Sequence, residues 1–235
     1  MLRSIEAEAR PARPDEQAVL ARWSGWGATP AVFADDHADD LDDVRQRLRA
    51  LLSPEEWDGA RRTVLNAHYT DPTVVAAIWD AAARLGFDGG RALEPGCGSG
   101  HFIGLAPPGA AMVGVERDPT TAAIARTLYP DAEIHTGPFE RFAPAAPFDV
   151  SVGNVPFAKL VPADPRYNRG RHSLHNFFLV KALALTRPGG LLLALSSRYT
   201  LDARNPAARR ELGQLGERAA FHLMRAIPRA AIWSC

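Results

Sequence analysis

The stretch LEPGCGSGHF, Leu93 to Phe102, decides the fold class, because it sets a glycine-rich loop between a short apolar run and a helix start. Glycine lets backbone N–H groups approach the anionic parts of a ligand, so the loop predicts a binding site. A dinucleotide site requires G-x-G-x-x-G, and both registers fail, since His101 and Ile103 stand where the third glycine is needed. The loop also lacks the lysine of a nucleoside-triphosphate site. A different ligand is therefore expected.

Strand and helix patterns alternate on both sides of this loop. Apolar runs predict strands at residues 91–94, 111–116, 132–137, 148–154 and 191–197. Asp71-Pro72 and Asp118-Pro119 predict helix starts, and a further helix is predicted at 173–186. This alternation predicts an α/β fold with a central, mostly parallel sheet flanked by helices. Ligands of such sheets bind at the carboxyl ends of the strands, where the glycine-rich loop lies.

The first sixty residues follow a different pattern and are predicted to form a helical N-terminal extension, 1–60, before the main domain, 61–235. Ser53-Pro54 is a strong helix start, and apolar residues between 41 and 52 repeat at helical spacing. Trp23 and Trp26 are interpreted as packing residues rather than ligand contacts.

The composition excludes several classes of protein. The chain has 235 residues and a formal net charge of zero, so it has no global basic field for nucleic acid. Cys97 and Cys235 offer neither a disulfide framework nor the spacing of a zinc site, and no metal is expected. No apolar run approaches the ~18 residues of a membrane span. A cytoplasmic protein is therefore expected.

The pattern E-x-G-x-G-x-G resembles motif I of the class I methyltransferases that use S-adenosylmethionine. Glu116, at the end of the next predicted strand, matches the carboxylate that this family places on the cofactor's ribose hydroxyls. The resemblance implies a Rossmann-like class I methyltransferase fold with S-adenosylmethionine as cofactor. The cofactor contacts that it implies are Glu94, Pro95, Gly96, Gly98, Gly100, Glu116, Phe139 and Asn154.

The upstream segment AHYTDP, residues 67–72, resembles motif X of the amino-methylating DNA methyltransferases. In that family the segment covers the methionine end of the cofactor. The resemblance therefore implies that Tyr69 and Thr70 are cofactor contacts.

The segment Asn154-Val155-Pro156-Phe157 resembles motif IV of the same enzymes, usually written (Asp/Asn/Ser)-Pro-Pro-aromatic, with Val155 in place of the first proline. An exocyclic amino group is a poor nucleophile because its lone pair is delocalised into the ring. The Asn154 side-chain oxygen and the Val155 carbonyl can each accept one N–H, which favours a pyramidal nitrogen. Pro156 stiffens the turn, and Phe157 offers a face for the base.

The motif order X, I, IV is that of the gamma-type adenine-N6 DNA methyltransferases. RWSGWGA, GNVPF and SLHNFFLVKALALTRPGG are more specifically similar to the methylase segments of DarB-like helicase–methylase antirestriction proteins of phages, plasmids and other mobile elements. The resemblance implies DNA as the substrate, with the target adenine flipped into the pocket. It also implies a helicase partner or an additional subunit, since no target-recognition domain is visible.

Other interpretations stay open. The same chemistry suits an enzyme acting on ribosomal RNA adenine or on a protein Gln/Asn side chain. The tail beyond Gly213 is a poor match to the closing strands of the fold, so the C-terminal strands are expected to be incomplete, and an inactive cofactor-binding remnant is a third possibility. Arg166, Arg169, Arg171 and His172 follow motif IV and form either a set of phosphate contacts or a solvated loop.

Overall fold

The structure is a computed structural model that describes residues 1–28, 30–34, 41–64, 70–158, 160–196, 200 and 202–216. Its first part consists of short helices. They are α1 (Leu2–Ala7), α2 (Pro14–Leu20), α3 (Asp42–Leu51) and α4 (Pro54–Thr63), with 3-10 turns at Trp26–Ala28 and Pro30–Phe33. The predicted helix start at Ser53 is confirmed, and it forms a capping box, because the Ser53 hydroxyl accepts from the Glu56 N–H and the Glu56 carboxylate accepts from the Ser53 N–H. The division at residue 60 stays a prediction.

The remaining elements alternate as the sequence predicts. The helices are α5 (Pro72–Arg84), α6 (His101–Gly104), α7 (Pro119–Leu128), α8 (Leu174–Leu185) and α9 (Ala207–Leu215). The strands are β1 (Gly90–Pro95), β2 (Ala110–Glu116), β3 (Glu133–Thr136), β4 (Phe148–Asn154) and β5 (Thr186–Leu195). The five strands form one sheet in the order β3-β2-β1-β4-β5, and every neighbouring pair is parallel.

The core lies on both faces of this sheet. On one face Leu93 and Val115 pack with Phe177 of α8. On the other, Val150 packs with Val75 of α5. Because both faces are covered, the central strands read as continuous apolar runs rather than alternating ones. The arrangement leaves the carboxyl ends of the strands free to form a site.

The last strand differs from the prediction. It begins at Thr186, which pairs with Phe148, but residues 187–190 have no partner in the register with β4, and pairing resumes with Leu191 opposite Val150, where the predicted strand starts. Residues 190–195 are half-buried rather than buried, because β5 lies at the sheet edge in the part of the chain that the structure describes. The expectation that the C-terminal strands are incomplete concerns residues 217–235, which lie outside the described residues.

Two other observations concern the described ranges only. No helix in them is both long and apolar enough to cross a bilayer. They also hold no group of three or more His, Cys, Asp or Glu side chains that could bind a metal ion.

Candidate active site

A cleft opens at the carboxyl ends of β1, β2 and β4, where the strand order places the ligand site of such a sheet. It brings together residues from motifs that lie far apart in the sequence. Of the residues predicted to form the site, its wall contains Thr70, Glu94, Gly96, Gly98, Glu116, Phe139, Asn154, Val155, Pro156 and Phe157.

The glycine-rich loop is held against the end of β2 by backbone hydrogen bonds. The N–H groups of Gly96 and Cys97 both donate to the Val115 carbonyl, at 2.8 and 3.0 Å. Gly96 and Gly98 have φ values of +73° and +56°, a left-handed conformation that favours glycine. The Cys97 side chain is buried, as expected for a small packing residue in this loop. The loop therefore presents a backbone surface to the cleft.

Glu116 lies at the carboxyl end of β2 and faces the glycine-rich loop. One carboxylate oxygen accepts from the Gly98 N–H at 3.0 Å, and the other accepts from the Asp118 N–H at 2.7 Å. Burial raises the pKa of Glu116 from 4.5 to about 7, and the two N–H groups oppose that shift. Each oxygen keeps a second lone pair with which to accept a hydrogen bond from a ligand.

Glu94 is the second buried carboxyl of the cleft, with 3% of its surface exposed. Its Oε2 atom has no hydrogen-bond partner among the described residues. Burial raises the pKa of Glu94 well above 4.5, against the opposing effect of the Phe102 and Ile103 N–H groups. A buried acceptor without a donor is costly, so a polar group of a ligand is expected at this position.

The segment predicted to carry the chemistry adjoins the glycine-rich loop directly. A Cβ atom added at Gly96 would lie 3.8 Å from Cδ of Pro156 and 3.5 Å from the Phe178 ring. The Val155 N–H donates to the Leu195 carbonyl at 3.1 Å, which fixes the peptide plane that follows Asn154. Close contact between the loop and this segment is what a transfer reaction between two bound molecules requires.

Three predicted site residues are not among the described residues that line the cleft. Pro95 ends β1 without lining the cleft. Gly100 has φ +91° and packs against Tyr129, since an added Cβ would lie 2.7 Å from that ring. Tyr69 lies outside the described residues. Its neighbour Thr70 does line the cleft, and the Thr70 carbonyl lies 3.1 Å from Nδ1 of His101. These positions leave the roles of Pro95, Gly100 and Tyr69 as predictions.

Several cleft residues were not predicted from the sequence. Gly25 and Trp26 line the wall although they belong to the N-terminal helices, and Asp118 lines it two residues beyond Glu116. Asp118 carried a visible signal as the cap of α7, and its carboxylate confirms that role by accepting from both the backbone N–H and the hydroxyl of Thr121. The sequence does mark Trp26, through the repeated tryptophan-glycine pattern of RWSGWGA, but its side chain was interpreted as a packing residue.

Two buried side-chain interactions anchor the loop that follows Phe157. Lys181, 1% exposed, donates to Asp164 at 2.9 Å and to the Glu140 carbonyl at 3.1 Å. His172 is buried and its Nε2 lies 2.6 Å from the Glu211 carboxylate. The suggestion that His172 contacts phosphate is therefore wrong for this structure, because its ring is engaged by α9. The alternative of a freely solvated loop does not hold at these two points either.

The three arginines of the same loop remain exposed. They are Arg166, Arg169 and Arg171. Arg166 lies over the Tyr167 ring at 4.9 Å, and Arg169 donates to the Pro165 carbonyl at 3.3 Å. Their exposure leaves the guanidinium groups accessible to a polyanion.

Comparison with solved structures identifies the fold; no family model matches the chain. A class I S-adenosylmethionine-dependent methyltransferase from Listeria monocytogenes, described as putative, aligns at 13% identity and TM-score 0.51, over 84% of this chain and 70% of that chain. The methyltransferase subunit of a type I restriction-modification system from Streptococcus thermophilus aligns at 16% identity and TM-score 0.51, over 77% of this chain and 50% of that chain. A S-adenosylmethionine-bound amino pentose methyltransferase from Micromonospora echinaspora aligns at 21% identity and TM-score 0.39, over 62% and 58%.

At these identities the likeness concerns the fold alone. The five-stranded parallel sheet flanked by helices is that of a Rossmann-like class I methyltransferase, as predicted from the sequence. The chain spans about half the length of the Streptococcus subunit, at 50%.

Proposed function

We propose that this chain transfers a methyl group from S-adenosylmethionine to the exocyclic N6 amino group of adenine in DNA. One observation carries the proposal: a single cleft contains both the Gly96–Gly98 loop with Glu116 and the segment Asn154 to Phe157. The first set suits the cofactor, and the second suits an amino group attached to a flat ring. The methyltransferase fold supports the same conclusion.

The residues of the cleft fit the cofactor. Glu116 can accept hydrogen bonds from the two ribose hydroxyls, and the unpartnered Oε2 of Glu94 can accept from an ammonium or another donor. Gly96 and Gly98 would let the backbone approach the methionine carboxylate, and Phe139 would pack on the adenine. When bound, S-adenosylmethionine supplies a methyl group already activated by a sulfonium.

The chain's own residues act on the substrate nitrogen. The Asn154 side-chain oxygen would accept one N–H of the amino group, and the Val155 carbonyl would accept the other, so that the lone pair points away from both. Pro156 restricts the turn that carries this carbonyl, and the hydrogen bond from the Val155 N–H to the Leu195 carbonyl fixes the preceding peptide plane. Phe157, which is half-buried in the cleft wall, would stack on the base at about 1–3 kcal/mol. The nitrogen would take the methyl group from the sulfonium, whose methyl–sulfur bond would break to leave a neutral thioether, and one N–H proton would pass to bulk water.

DNA is the substrate class that the comparisons and the motifs favour. The Streptococcus structure is a methyltransferase subunit of a restriction-modification system. The motif order and the likeness to DarB-like proteins point the same way and suggest an antirestriction role on a mobile element. The exposed guanidinium groups of Arg166, Arg169 and Arg171 would contact phosphates near the flipped adenine.

A helicase partner or an additional subunit is part of the proposal. The formal net charge of zero gives the chain no broad basic surface for tracking a duplex. We therefore propose that duplex binding and site recognition come from outside this chain.

Calorimetric titration with S-adenosylmethionine tests the cofactor half of the proposal, with Glu116→Ala as the matched variant. Wild-type protein should bind in the micromolar range, and the variant should lose most of that affinity. No heat of binding from folded wild-type protein would instead identify a cofactor-free remnant.

A labelled-methyl assay tests the substrate half. Unmethylated DNA, RNA and a protein mixture are offered in parallel to wild-type protein and to Asn154→Ala. Label in N6-methyladenine of DNA, absent with the variant, is the expected result. Label in RNA adenine or in protein amide nitrogen would assign the cleft to the alternative substrates.

A further inference from the structure

The N-terminal segment reaches the wall of the cleft. Gly25 and Trp26 line it together with Glu116 and Phe139 of the main domain. Gly25 has φ +73°, a left-handed conformation in which any other residue would be strained, and the chain turns there before the 3-10 turn that begins at Trp26. The segment is therefore shaped to bring the Trp26 ring to the cleft.

A buried hydrogen-bond chain connects that ring to the acid proposed to hold the ribose. Nε1 of Trp26 donates to Oδ2 of Asp118 at 3.2 Å, and Asp118 is 1% exposed. The backbone N–H of Asp118 donates in turn to Glu116 at 2.7 Å. Only Asp118 stands between Trp26 and Glu116 in this series of hydrogen bonds. The Trp26 ring therefore lies at the end of the cleft where Glu116 is proposed to hold the ribose.

The position of the ring is fixed from its other sides by aromatic contacts. The centroids of Trp23 and Trp26 are 4.6 Å apart with the planes at 87°, and those of Trp26 and Phe33 are 5.4 Å apart at 78°. Trp23 is held by its own hydrogen bond, from Nε1 to the Thr121 hydroxyl at 3.0 Å. A ring held by one hydrogen bond and two edge contacts is preorganised, so a ligand would not have to order it.

We infer that Trp26 is a cofactor-binding residue, supplied by the N-terminal segment, whose ring forms a wall for the adenosyl group of S-adenosylmethionine. The inference rests on the proposed function. Trp26 is 7% exposed and borders the cleft near Glu116, while Phe139, 3% exposed, borders it after β3. A flat purine meets its best packing against aromatic surfaces of this kind.

Trp23 provides a matched control. It belongs to the same aromatic pair and makes an equivalent indole hydrogen bond to α7, but it does not line the cleft. Trp26→Leu and Trp23→Leu would each be titrated with S-adenosylmethionine by calorimetry, and the thermal midpoint of each would be measured without ligand. We expect Trp26→Leu to weaken the affinity roughly tenfold, a typical loss for one stacking contact. Trp23→Leu should leave it within about twofold, because the Asp118 hydrogen bond and the Phe33 contact still hold the Trp26 ring.

A second measurement needs no change at this position. The chain has five tryptophans, so wild-type protein carrying 5-fluorotryptophan gives a small set of fluorine resonances, assigned through leucine variants at the other positions if Trp26→Leu does not fold. The Trp26 resonance should move as S-adenosylmethionine is added.

Two results would overturn the inference. In the first, wild-type protein binds S-adenosylmethionine, but either the Trp26 resonance does not move or the two leucine variants lose affinity equally. Trp26 is then a packing residue, and the proposed function stands. In the second, wild-type protein gives no heat of binding and no resonance moves. The proposed function then fails, and the inference fails with it.

Discussion

Replacing Glu116 by glutamine should remove a pH dependence that the buried carboxyl group imposes on stability. Glu116 is 9% exposed, and burial raises its pKa from 4.5 to about 7 in the folded protein. In the unfolded chain the same group is solvated, so between these two values the folded state holds the proton more tightly. This group therefore stabilises the fold below pH 4.5, and that contribution is lost as the pH rises through 7.

The size of the effect follows from the difference between the two pKa values, 4.5 and about 7. At 1.36 kcal/mol per unit, the full contribution is about 3 kcal/mol, and most of it falls between about pH 5 and pH 8. Glutamine cannot ionise, and its amide adds only a constant offset, because it replaces one acceptor by a donor opposite Gly98 or Asp118. The free energy of unfolding of wild type minus that of Glu116→Gln should therefore fall by about 2–3 kcal/mol over this range.

Urea unfolding of both proteins at four pH values between about 5 and 8, without cofactor, measures this difference. Titrations of groups distant from Glu116 cancel between the two proteins, so the slope isolates this carboxyl group together with its electrostatic coupling to Glu94. A difference that stays constant, or that grows with pH, would refute the reasoning, since Glu116 would then ionise as easily in the folded protein as in the unfolded chain.

The same group predicts how cofactor affinity depends on pH. The ionised carboxylate can accept hydrogen bonds from both ribose hydroxyls, whereas the protonated group has one acceptor fewer. Affinity for S-adenosylmethionine should therefore fall below pH 7, by up to about tenfold per pH unit. Calorimetry of wild type and Glu116→Gln across the same pH range checks this, and an affinity of wild type that is flat in pH would contradict a role for the ionised group.

Other predictions concern packing. Lys181→Met should destabilise the fold by about 3–5 kcal/mol in urea unfolding, because it leaves Asp164 buried without its cation; a loss below about 1 kcal/mol would show that the pair is solvated. Gly100→Ala should cost about 1–3 kcal/mol, since its φ is +91° and the new methyl would lie 2.7 Å from the Tyr129 ring. Gly213→Ala, in α9 with nothing within 4 Å, should instead stabilise by about 0.5–1 kcal/mol, and thermal unfolding of the two alanine variants should show shifts of opposite sign.

Features set by local sequence were predictable. The apolar run that forms β4 was predicted with the bounds that the structure shows, Phe148–Asn154, and Asp118 was predicted as a helix cap. The meeting of Gly98 and Glu116 followed from the rule that parallel strands end at one edge of the sheet. The part of the cleft that contains Gly96, Glu116 and Asn154 could be outlined in this way because each of these residues lies at or just beyond the end of a strand.

Features set by distant contacts were not predictable. Trp26 reaches Asp118 across 92 positions, and His172 reaches Glu211 across 39, so neither partner is visible in the local pattern. The start of β5 was missed for another reason. Pro188-Gly189 is a strong turn signal, and residues 187–190 do interrupt the pairing with β4, so the pairing of Thr186 with Phe148 before them was not visible in the local pattern. Tertiary contacts of this kind decide side-chain roles that periodicity leaves open.

The packing of the first helices on α7 has a consequence for synthesis of the chain. Ile5 and Leu20 are buried with Ile124, and Trp23 bonds to Thr121 across 98 positions. At roughly 5–20 residues per second, the ribosome exposes these apolar side chains for about 5–20 s before α7 has been made. During that interval Ile5 and Leu20 can pack only against residues of their own segment, such as Ala12 and Leu2. Nascent chains stalled before and after residue 128 should therefore differ sharply in protease resistance of the N-terminal helices.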